Sequence, residues 1–208
     1  MIFGLDAATL AAFLGAGIVL NLTPGADVMF ATASGASGGP KAGVAAALGV
    51  ALGALLHTLL ATFGLSALLE AEPRLFAAIT YLGAAYLIYL AWKTWVAPAP
   101  EPGRGAASAR RAIARGFVTN ALNPKVALFI LAFLPQFTRP EAGNVTLQML
   151  TLGALFTVTG FAITSGYGVL AGVAGARIAR GRLMNRVSAV VFAVLALRLV
   201  AGDLPAKS

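Results

Sequence analysis

The chain has 208 residues, of which 59% are hydrophobic and only 11% charged, with a mean hydropathy of +0.87. Soluble domains carry about 25% charged residues, so this composition identifies an integral membrane protein. The net charge of +8 does not point to nucleic acid, because the basic excess sits in short loops between apolar runs, and the absence of cysteine excludes disulfides, thiolate metal sites and redox relays.

Six apolar segments follow, at about 8–34, 42–68, 75–96, 113–136, 146–176 and 187–202. Each is near the roughly 20 residues that a helix needs to cross the hydrocarbon core. The first has no basic leader and is preceded by Asp6, so it reads as a span and not as a cleavable signal. Within it stands Asn21-Leu22-Thr23-Pro24-Gly25-Ala26-Asp27, and Asp27 is the only charge between Asp6 and Lys41. Proline removes a backbone donor and glycine loosens the helix, a break that lipid does not tolerate unless it faces protein or a water-filled cavity. Asn21, Pro24, Gly25 and Asp27 are therefore candidate substrate-site residues.

The second segment places His57 at its centre, as a proton relay or as a neutral histidine hydrogen-bonded between helices. The third ends in Trp92 and Trp95 around Lys93, an interfacial anchor, and its Tyr81, Tyr86 and Tyr89 read as packing residues. Residues 97–112 are rich in Pro, Gly and Ala and read as a linker without chemistry of its own.

The fourth segment contains Asn120-Ala121-Leu122-Asn123-Pro124-Lys125. Lys125 lies midway between Arg115 and Arg139, too far from either surface to snorkel. It is a functional charge, a structural ion pair with Asp27, or a cap for carbonyls freed by Pro124. Asn120 and Asn123 offer amides to freed backbone or to a substrate. Gly49-xxx-Gly53 and Gly168-xxx-Gly172 read as small-residue packing faces, which also permit a homodimer. Arg198 snorkels outward from the sixth segment.

Lys41, Lys93, Arg104, Arg110, Arg111, Arg115 and the four arginines of 177–186 fall on one side of these spans. By the positive-inside rule that side is cytoplasmic and both termini are periplasmic. Gly17 to Asn21 resembles Gly116 to Asn120, and a proline follows each. Three spans per half is an odd number, so residues 8–96 and 113–202 read as two inverted three-helix repeats in a single all-α transmembrane domain, with helices 1 and 4 broken at prolines. The core lacks the ligands a metal site needs and the chain lacks a phosphate-binding Gly-Lys-Ser/Thr motif, so no cofactor or metal is expected and transport would draw on an ion gradient.

Asn21 to Asp27, Lys41 to Gly49 and Gly83 to Tyr89 resemble the first half of the LysE/RhtB amino-acid exporter family, and Gly116 to Lys125 with Phe133 to Phe137 resemble its second half. The resemblance covers nearly the whole chain. It implies efflux of amino acids or derivatives across the bacterial inner membrane, driven by the proton motive force, and no enzymatic activity. It places Asn21, Pro24, Gly25 and Asp27 on the first motif and Asn120, Asn123, Pro124 and Lys125 on the second. The chain departs from the family's Pro-Gly-Pro at Ala26, and has Ala54 where an acid commonly precedes the histidine. The second departure leaves Asp27 ahead of His57 as the proton-coupling residue. The expected substrate is a zwitterion whose ammonium meets Asp27 and whose carboxylate meets Lys125 or a half-helix N-terminus. The alternatives are export of another small solute, or a membrane enzyme using Asp27 and His57 as acid and base.

Overall fold

The computed structural model describes residues 3–71, 73–96, 105–106 and 108–174, with isolated positions between 186 and 197. It is all-helical. Helix α1 spans Ala7–Leu22, α2 Ala26–Ala71, α3 Pro73–Val96, α4 Ala109–Ala121, α5 Pro124–Phe133 and α6 Val145–Ala174, with two short 3-10 turns, Leu134–Phe137 and Pro140–Ala142, before α6.

Asp6 starts α1 by accepting from the Thr9 amide at 2.7 Å, and Arg139 pairs with the same carboxylate at 3.0 Å. These contacts, the Thr9 amide first, hold the Asp6 carboxyl below the usual carboxylate range. Helix α1 stops at Thr23, whose extended backbone (φ −65°, ψ 117°) is what a following proline imposes. Its 16 residues reach about 24 Å, short of the ~30 Å hydrocarbon core. The continuation is the first arm of α2.

That arm turns back at Gly39, where φ is 76° and ψ 179°, a conformation open to glycine, and Pro40 starts the second arm. The sequence led us to expect a loop over 35–41, but a single glycine makes the reversal. Helix α4 begins at Ala109, four residues before the apolar segment expected from 113, so Arg110 and Arg111 stand in its first turn. Helices α4 and α5 meet at a 55° bend and are long and apolar enough for a span only when taken together.

By length and composition, and among the described residues, Ala26–Gly64, which includes the turn at Gly39, and Val145–Ala174 are apolar enough to cross a membrane, and the bent α4–α5 pair makes a third if taken as one span. The sixth expected span lies mostly outside the described residues, although Ala189, Val190, Ala193, Val194, Ala196 and Leu197 are helical. Most of the expected linker, at 97–104 and 107, also lies outside them. Large apolar side chains face outward, with Leu82 67%, Leu122 78% and Val173 76% exposed, which suits lipid and not water.

Helix α2 crosses α6 and α4 through glycine. A Cβ on Gly43 would meet the Gly168 backbone at 2.6–2.7 Å, and one on Gly172 would meet Pro40. Gly49 lies against Ile113 and Phe117 of α4, Gly53 against Asn120, and Gly116 against Ala46. Both predicted small-residue pairs thus form close helix crossings, where backbone contact replaces side-chain bulk.

Two apolar layers flank the middle of the bundle. One is aromatic: Phe129 stacks on Phe133 at 4.9 Å and lies 5.2 Å from Phe156, while Phe13 meets Phe137 edge-on at 5.4 Å. The other is made of small residues, Ala31, Ala45, Ala46, Ala106 and Ala112, around Phe30 and Ile113. Phe13, before the first break, packs with Phe129 and Phe137, after the second. Phe30 and Ala31, after the first break, cluster with Ala112, before the second. The two broken helix pairs therefore run antiparallel, with their breaks at the same level.

Candidate functional site at two facing helix breaks

A proline leaves a carbonyl without its helical partner four residues upstream. Pro24 does this to Leu20, whose carbonyl accepts from the Thr23 amide at 3.2 Å and gains Lys125 as a second donor: Nζ donates to it at 3.4 Å and to the Thr23 carbonyl at 3.3 Å. An ammonium at a helix C-terminus also complements the helix dipole. Gly25 makes room for it, since a Cβ there would meet Nζ at 2.9 Å.

Pro124 does the same to Asn120. That carbonyl turns to the Asn123 amide at 2.8 Å and takes His57 as a second donor, with Nε2 3.1 Å away. A carbonyl only accepts, so this contact assigns the hydrogen to Nε2. Each break is thus propped by a basic side chain from another helix, one lysine and one histidine.

Asp27 completes the junction from the first turn of α2. It is 5% exposed, and its Oδ2 accepts from the Asn123 amide at 2.8 Å and the Asn120 amide at 3.2 Å. Asn123 also caps α5, its Oδ1 accepting from the Lys125 backbone at 3.0 Å. Asp27 Oδ1 has no hydrogen-bond partner. Asp27 and Lys125 do not form an ion pair; among the described residues the salt bridge found is Arg139 to Asp6. The carboxylate of the first break anchors the asparagines of the second, and the lysine of the second anchors the carbonyls of the first.

A cavity of about 20 Å³, measured to the centre of a water-sized sphere, lies at this level. Asn21, Asp27, Asn120 and Lys125 line it, together with Val28, Val50, Ala51, Ala54, Val126, Phe156, Thr157, Gly160, Phe161 and Thr164. That is room for about one water and not for an amino acid. Asn21 is fastened to α6, donating to the Phe156 carbonyl at 3.3 Å and to Thr159 at 3.5 Å. Pro24, Gly25, Asn123 and Pro124 shape the breaks without lining the cavity, and His57 stands behind Asn120.

The α6 wall went unread in the sequence. Thr157, Gly160, Phe161 and Thr164 recur at helical spacing on one face, a polar stripe in an apolar span. That stripe was the available signal. No group of His, Cys, Asp or Glu among the described residues is arranged to hold a metal ion.

The chain is 33% identical over 162 residues to an uncharacterized membrane protein, YrhP, of Bacillus subtilis strain 168, covering 72% of this chain and 77% of the relative. It is 29% identical over 144 residues to a leucine efflux protein of Enterobacter sp. strain 638, covering 67% and 68%. A leucine efflux protein of Salmonella typhimurium strain LT2 is 28% identical over 157 residues, covering 74% of each chain. No solved structure matches. The family model for the LysE type translocator matches residues 18–202, which includes both breaks and α6. The chain belongs to the LysE type translocator family and is a transporter, not an enzyme.

Proposed function

We propose that this protein exports amino acids or their derivatives from the bacterial cytoplasm across the inner membrane, in exchange for protons. In this reading the single transmembrane domain has six spans in two inverted halves, with the basic loops cytoplasmic and both termini periplasmic. The observation that carries it is the junction of two antiparallel breaks at one buried carboxylate, Asp27, which keeps one oxygen free beside a cavity. Broken helices that meet at mid-depth are where secondary transporters place substrate and coupling ion. The leucine efflux relatives support an amino acid as cargo.

The substrate ammonium binds Asp27, and its carboxylate draws the Lys125 ammonium from the carbonyls of Leu20 and Thr23. Loading therefore unfastens the C-terminus of α1, so that occupancy and movement are linked. The cavity widens to admit cargo, and the two breaks are the hinges. A proton arriving from outside neutralises Asp27 and releases the ammonium. His57 holds the second break in register throughout.

Proteoliposomes loaded with labelled leucine and given an inward proton gradient test this. Gradient-driven efflux is expected from the wild type, none from Asp27→Asn, and a loss of at least about tenfold from Lys125→Met, the scale of one charge-assisted contact. Undiminished efflux from both variants would overturn the mechanism. Efflux without any gradient requirement would overturn the proton coupling alone, and export of a different solute in place of amino acids would overturn the cargo.

A further inference from the structure

We infer that the substrate's primary ammonium group is received by two oxygens, Oδ1 of Asp27 and the hydroxyl of Thr157, and that Thr157 selects amines over analogues that lack one. The inference rests on the export reading above and adds a residue to it. Both oxygens are buried and without a hydrogen-bond partner, and both residues line the same cavity. A buried acceptor left without a donor is costly, and two beside one cavity describe a ligand that brings hydrogens.

The behaviour of neighbouring threonines sharpens the point. A helical threonine ordinarily returns its hydroxyl to its own backbone. On α6, Thr151 does so to Leu147 at 2.7 Å and Thr159 to Leu155 at 2.8 Å. Thr157 stands between them and makes no such bond.

Protein donors near the carboxylate direct their bonds away from Oδ1, the third hydrogen of the Lys125 ammonium aside. The amides of Asn120 and Asn123 serve Asp27 Oδ2, and the Lys125 ammonium serves the end of α1. Asn120 Oδ1 also lacks a donor, but it packs against Gly53, where a Cβ would meet it at 2.8 Å, so it is not counted as a ligand. A primary ammonium has three N–H directions and a positive charge, which one carboxylate oxygen and one hydroxyl lone pair complement. An α-hydroxy acid of the same shape offers one hydrogen there and no positive charge.

The test uses the full chain in proteoliposomes, with leucine and its α-hydroxy analogue as probes. Thr157→Val keeps the branched shape and removes the hydroxyl; Thr157→Ser keeps the hydroxyl. The valine variant should raise the KM for leucine about tenfold with little change in maximal rate, as for loss of one hydrogen bond to a charged group. Its affinity for the hydroxy acid should stay unchanged, and the serine variant should restore leucine affinity. Thermal stability in detergent should not fall in the valine variant, because an unpaired hydroxyl holds nothing together; a purely structural hydroxyl would cost stability when removed.

A valine variant with wild-type leucine KM overturns the role of Thr157 while leaving export intact. An equal loss for leucine and the hydroxy acid overturns the amine selectivity, and a loss that tracks external sodium would make the ligand an inorganic cation. A wild type that exports no amino acid at all overturns this inference together with the reading beneath it.

Discussion

Gly43 and Gly15 have the same absent side chain and opposite consequences. A Cβ on Gly43 would run into the Gly168 backbone, while one on Gly15 would meet nothing within 4 Å. Backbone cannot move aside as a flexible side chain can, so Gly43→Ala should destabilise the protein by about 1–3 kcal/mol, in the range of an overpacked core. Gly15→Ala should be neutral or slightly stabilising, since alanine is the better helix former. Thermal melts of the two purified variants in one detergent check the contrast; equal midpoints would mean that the α2–α6 crossing relaxes at no cost. The Gly-xxx-Gly spacing was legible in the sequence because periodicity alone places both glycines on one face. The partner of Lys125 was not. Sequence offered Asp27 or the carbonyls freed by Pro124, and the structure gives those freed by Pro24, a pairing 105 residues apart set by how two helices meet.

At the scale of the elements, the prolines explain why a histidine sits where it does. If His57 stands in for the amide hydrogen that Pro124 lacks, its value depends on that proline. His57→Phe should lower stability by about 0.5–1.5 kcal/mol, leaving the Asn120 carbonyl with the Asn123 amide alone. In a Pro124→Ala background, which restores a backbone N–H, the same change should cost less than half as much. His57→Gln, which keeps a donor and cannot titrate, should retain the efflux pH profile of the wild type. A four-way thermal-melt cycle and one pH series decide it; a dead glutamine variant would return His57 to the proton path. The breaks themselves were legible, since Pro24 and Pro124 interrupt otherwise apolar runs. The helix boundaries were less so. Arg110 and Arg111 mark where the apolar run begins, but not where the helix does, since α4 starts at Ala109.

At the scale of the molecule, the two layers on either side of the cavity are made of different material. Toward the end that carries Arg110, Arg111 and Arg115 lie alanines, closed over by Gly105 and Ala106, whose amide donates to the Ser34 hydroxyl at 3.1 Å. Toward the other end lie interlocked phenylalanine rings, with centroids 4.9–6.4 Å apart. No periodicity in the sequence announced this, because the layers draw residues from several helices that are remote in the chain. Rings in contact lose much dispersion energy when they separate, and methyl groups lose little. The consequence concerns timing. Between turnovers the molecule should rest with its alanine end opening often and briefly, and its aromatic end opening rarely, so that waiting happens on the side where the arginines are. With no native cysteine to compete, a thiol at Ala46 should react with a soluble maleimide much faster than one at Phe133 in detergent-purified protein. Equal rates would mean that the two ends keep the same clock.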